Sequence, residues 1–98
     1  MRKTRFLLPT HVDLDSFTEL YEMGTNYLDN TKGSAAIDLS DLRSANSAVV
    51  ALLVGWWRYA KTCDQKLVYI GVREDLAKLI EVLGVKEILC ITDIEKLL

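Results

Sequence analysis

Along this chain, short runs of mostly apolar residues alternate with longer stretches in which apolar side chains recur every three to four positions. The short runs suit buried strands and the longer stretches suit amphipathic helices, so the order reads β-α-β-α-β-α-β-α. Few folds have that order. Strands separated by helices are joined by right-handed crossovers, which gives a mainly parallel sheet with helices packed on it. The expected architecture is therefore a small α/β domain with four to five strands and about four helices.

Local signals place the elements. Residues 4–8 read as a strand stopped by Pro9, which has no N–H to give a ladder. A helix over 16–28 carries Phe17, Leu20, Tyr21 and Leu28 near one face, and Ser16 with Glu19 has the spacing of a capping box. Residues 35–39 are apolar and bounded by turns, which predicts a buried strand. A long helix over 47–62 follows, with Asn46 as its N-cap. Next come a strand over 66–71 and a helix over 73–83, closed by Gly84 in the left-handed C′ position. A strand over 87–91 ends the sheet. Thr92 and Glu95 form a second capping box that opens a terminal helix.

Composition narrows the function. The 98 residues carry 12 Lys and Arg against 14 Asp and Glu, a net charge of −2, and half are hydrophobic. One domain over 1–98 accounts for that length. A slightly acidic chain lacks the basic surplus needed to displace phosphate counterions, so direct nucleic-acid binding is not expected. The apolar stretch from Ala48 to Trp57 is half the length of a membrane span, which needs about 20 residues. The apolar run at the basic N-terminus is too short for a secretory signal. A cytoplasmic protein is expected, touching a membrane only indirectly. Cys63 and Cys90 read as reduced thiols packed like small apolar side chains.

Catalytic constellations are missing from the pattern. There is no Ser-His-Asp order, no P-loop and no G-x-G-x-x-G, and the glycines are isolated. His11 with Asp13 and Asp15 reads as a helix-entry turn rather than a metal site. The chain is thus expected to be no enzyme, to hold no metal or other cofactor, and to work by contact.

The segment Ile37-Asp38-Leu39-Ser40, a polar loop, then Asn46-Ser47-Ala48 opening an apolar helix carries the most information. Asn46 caps the helix, and the Ser47 hydroxyl lies near the positive end of its dipole, where an added phosphate is favoured by about 0.3–1 kcal/mol. This arrangement resembles the signature of STAS domains, the modules shared by sulfate-transporter tails and bacterial anti-sigma factor antagonists. Ala60-Lys61, the strand from Leu67 to Val72 and the helix from Asp75 follow the same plan, so the resemblance covers about residues 5 to 92. It implies a STAS-like fold and two functional types. One is the MlaB-like subunit of the bacterial lipid-asymmetry ABC transporter, which binds and stabilises the cytoplasmic ATPase of that complex at the inner face of the inner membrane. The other is the anti-sigma factor antagonist, phosphorylated by its partner kinase at the position of Ser47. Three departures favour the first type: Asn46 stands where antagonists usually have Asp, Val49 where Gly is common, and the N-terminal segment is shorter than the usual first hairpin.

The long helix presents two apolar stripes. Val49, Leu52, Leu53, Trp56 and Ala60 share the face expected to pack on the sheet. Val50, Val54 and Trp57 form a second stripe that runs on to Lys61; either a neighbouring helix covers it or it serves as a partner surface. Burying it removes roughly 300 Å² from water, or about 7–8 kcal/mol. Association costs about 4–15 kcal/mol, so the stripe needs help from its neighbours. Arg43 in the loop and Arg73 at the next helix are the polar anchors expected beside Asn46 and Ser47.

Overall fold

Asp13, not Ser16, starts the first helix. Its carboxylate accepts the backbone N–H of Ser16 at 3.1 Å, while its own N–H donates to the Ser16 hydroxyl at 3.2 Å. The capping box is therefore Asp13–Ser16, three residues earlier than the expected Ser16–Glu19. An aspartate carboxylate is a strong N-cap acceptor, and Ser16 takes the reciprocal role three residues on.

The computed structural model describes residues 5–86, 89, 91 and 92. Its elements are β1 (Phe6–Leu7), α1 (Leu14–Asp29), β2 (Ser34–Asp38), α2 (Ser47–Thr62), β3 (Lys66–Ile70), α3 (Glu74–Val82) and β4 (Ile91–Thr92). The four strands pair in the order β1-β2-β3-β4, all parallel. The expected α/β class is therefore found, with four strands and, among the described residues, three helices. The expected terminal helix lies outside the described residues, apart from its first position, Thr92.

Register decides which side chains face the helices. Phe6, Ile37 and Tyr69 are aligned across the sheet. On this face Phe6 stacks on Tyr27 of α1 and meets the Trp56 ring of α2 edge-on. The Tyr69 hydroxyl donates to the Leu53 carbonyl of α2 at 2.6 Å. Because right-handed crossovers between strands taken in order put every helix on one side, the core forms there. Val49, Leu52, Leu53, Trp56 and Ala60 are all buried in it, as the periodicity of α2 predicts.

Two glycines set the closest approaches. A Cβ on Gly24 would lie 2.3 Å from the Trp56 ring, so only glycine lets α1 settle against α2 here. Gly71 has φ +73° and ends β3, and a Cβ on it would come within 2.8 Å of the Ser40 backbone nitrogen. The β3–α3 loop therefore lies against the start of the β2–α2 loop.

Candidate functional site: paired helix starts

The loops that follow β1 and β2 are fastened together. Arg43 N–H donates to the Thr10 carbonyl at 2.7 Å, and Val12 N–H donates to the Ser44 hydroxyl at 3.0 Å. Asn46 completes the fastening with both ends of its amide. Its Oδ1 accepts the Val49 N–H at 3.0 Å, which is the expected N-cap, and its Nδ2 donates to the Val12 carbonyl at 3.0 Å. The starts of α1 and α2 are thereby held side by side.

Below them, Asp38 anchors the loop. It is 6% exposed at the end of β2. Its Oδ1 accepts from the Ser40 N–H at 2.9 Å and the Ser40 hydroxyl at 2.6 Å, and its Oδ2 lies 3.4 Å from Arg5 Nε. A buried carboxylate with its oxygens engaged is a brace, since leaving such a group unpaired is costly.

Between the two helix starts lies an open depression of about 490 Å³, lined by Asp13, Leu14, Asp15, Asn46, Ser47 and Ala48. Ser47 is exposed as the first residue of α2. Leu14, which the sequence pattern does not single out, is 80% exposed at the first position of α1. It extends the stripe of Phe17, Tyr21, Gly24 and Leu28 by one turn. The signal was available: that spacing of threes and fours includes Leu14 once Asp13 is taken as the cap.

The other expected contact residues are dispersed. Arg43 and Arg73 are exposed, and Arg73 is the N-cap of α3 without a side-chain capping bond. Val50 is a correction to the second stripe: at 4% exposure it belongs to the core. Val54 and Trp57 are half-buried against that core, and the Lys61 ammonium sits 5.4 Å from the Trp57 ring centre. Val50 is therefore not free to form a contact, while Val54 and Trp57 keep part of their surface exposed. Cys63 is likewise corrected, being a free and exposed thiol rather than a packed one, while Cys90 lies outside the described residues. Among the described residues, no His, Cys, Asp and Glu group could hold a metal, and no helix is long and apolar enough to cross a membrane.

The family model described as "Mlab, STAS domain" matches residues 4–92. The chain belongs to the STAS domain family. Such domains generally bind and regulate rather than catalyse. The STAS domain described here is also similar to the solved structure of the anti-sigma factor antagonist SpoIIAA in its unphosphorylated form. The TM-score is 0.70 at 14% identity, covering 95% of this chain and 84% of that one. At that identity the likeness concerns the fold alone. No curated protein matches the sequence.

Proposed function

We propose that this STAS domain is a non-catalytic subunit that binds and stabilises the cytoplasmic ATPase of a bacterial intermembrane phospholipid-transport ABC complex. The family match carries this reading, because the model that spans nearly the whole chain is the MlaB type. The geometry supports a contact role. The exposed end of α2 is rigidly held beside the start of α1, and the polar groups that hold it are spent on structure rather than poised for chemistry. In this reading Ser47 lies at the centre of the contact, and the exposed Arg43 and Arg73 are its proposed polar anchors. The ATPase subunit of such a complex from the same cell, purified and mixed with this chain, is expected to form a complex that Ser47→Glu weakens while the melting temperature is kept. Equal retention of ATPase by wild type and Ser47→Glu overturns this assignment of the contact.

A second reading is an anti-sigma factor antagonist switched by phosphorylation of Ser47. The exposure of Ser47 at a helix N-terminus favours it. A phosphate there would bring about −1.5 to −2 charge beside Asp13 and Asp15, enough to eject a partner. Stoichiometric phosphate on Ser47 after incubation with an anti-sigma kinase, read by mass spectrometry, establishes the switch, and none excludes it.

A further inference from the structure

Among the described residues β1 is an edge strand, paired on one side only. The Leu8 N–H donates to the Asp38 carbonyl at 3.0 Å, and the alternation along a strand turns the Leu7 N–H and C=O the other way, out of the sheet edge. One residue before the pairing of β2 with β1 begins, the Ala36 N–H is taken by the Tyr27 hydroxyl at 3.0 Å, so that part of the edge is closed by the domain itself. At Leu7 the described residues supply no such closure. A groove of about 450 Å³ lies there between β1 and α1. Leu7, Leu8, Pro9, Leu20 and Met23 give it an apolar lining, and Leu7 and Met23 stand 51% and 47% exposed. The charged residues that line it, Glu19 and Asp41, are both acidic. Glu19 has no part in the capping box, which Asp13 and Ser16 complete, and neither acid has an ion-pair partner among the described residues.

We propose that this groove takes an extended, basic peptide segment of a protein partner, added to the sheet as a strand beside β1. Outward-facing main-chain groups recognise another main chain, which a helix cannot offer because its own is already paired. The apolar lining takes alternate side chains of the added strand, and Glu19 with Asp41 selects lysine or arginine at its flanks. Pro9 has a carbonyl but no N–H, so the ladder is short: Leu7 supplies one donor and one acceptor, and Pro9 one acceptor. Side chains therefore carry much of the recognition. A second copy of this chain is a poor occupant, since at its own β1 it presents another acidic groove. The groove shares no lining residue with the depression beside Ser47, so this inference stands apart from the docking role given above.

Nuclear magnetic resonance titration of the isotope-labelled protein with the peptide acetyl-Lys-Val-Thr-Val-Lys-amide tests the groove. Saturable shifts are expected at the amides of Leu7, Leu8, Thr10, Glu19, Met23 and Asp41. A peptide with glutamate in place of both lysines should bind at least about fivefold more weakly, and Met23→Lys should weaken the lysine peptide by a similar factor. The fully N-methylated lysine peptide keeps the side chains but has no N–H to give, and should not bind. These peptide comparisons use the wild-type protein and hold even where Met23→Lys fails to fold. Absence of saturable shifts at these amides up to millimolar peptide overturns the proposal, as does equal binding of the N-methylated or the glutamate peptide. A dimer of the protein alone in sedimentation, abolished by Met23→Lys, would give the groove to a second copy and overturn it as well.

Discussion

Trp56 of α2 presses so closely on Gly24 of α1 that a single methyl group there would overlap its ring, while its indole N–H donates to the Tyr21 carbonyl at 3.1 Å. The indole is fully buried at the centre of the helix layer and cannot retreat. Gly24→Ala should therefore destabilise the domain by about 1–3 kcal/mol through overpacking. The gain in helix propensity, about 1 kcal/mol, works against this and sets the lower bound. Urea unfolding followed by tryptophan fluorescence measures the difference, and a more stable Gly24→Ala variant would contradict the packing described.

Tyr59 joins the far ends of the same two helices. Its hydroxyl donates to Asp29 Oδ1 at 2.5 Å, and this bond, then burial and the nearby carboxylate charge, push the phenol up to about 12. The folded chain thus holds this proton more tightly than the unfolded chain, whose tyrosines ionise near pH ~10. The stabilisation is complete below pH about 10 and is lost as pH rises toward 12. Tyr59→Phe should remove that part of the alkaline pH dependence. Ultraviolet titration of wild type minus Tyr59→Phe should show one phenol ionising near the upper end of this window.

Asn46 serves two partners at once. Asn46→Ala removes both the cap on Val49 and the bond to Val12, for an expected loss of about 1–3 kcal/mol. Asn46→Asp keeps a cap acceptor but no longer donates to Val12, so its loss should be smaller. Chemical denaturation gives the order of the three proteins. Amide exchange at Val49 should quicken in the alanine variant more than in the aspartate one.

Asp38 should be the costliest polar residue to remove. Asp38→Ala frees the Ser40 N–H and hydroxyl and the Arg5 guanidinium together, for an expected loss of about 2–4 kcal/mol. Loosening of the β2–α2 loop would appear as faster exchange from Ser40 onward, ahead of global unfolding.

Much of this architecture is legible in the residues themselves. The bounds of α2 and its Asn46 cap follow from local chemistry, as does Gly84 with φ +77° just after α3. The parallel sheet follows from the alternation of elements. Tertiary facts escape the pattern. Helical periodicity shows that Val50 lies on an apolar stripe, yet burial depends on which elements flank α2 in space. Ser16 and Glu19 have capping-box spacing, but Asp13 competes for the same helix start and wins. Leu14 belongs to the α1 stripe by spacing, but its exposure depends on how α1 and α2 are placed against each other. In the site, the Asn46 cap makes Ser47 legible as a helix start, whereas the depression beside it exists only with both helices in place.

Among the described residues each strand pairs only with strands adjacent to it in sequence, and none waits for a later segment to be inserted beside it. During synthesis, β2, β3 and β4 each find the edge they join already made. The contacts are therefore local for a parallel sheet, and assembly can proceed from the amino end with little loop closure to overcome at any step.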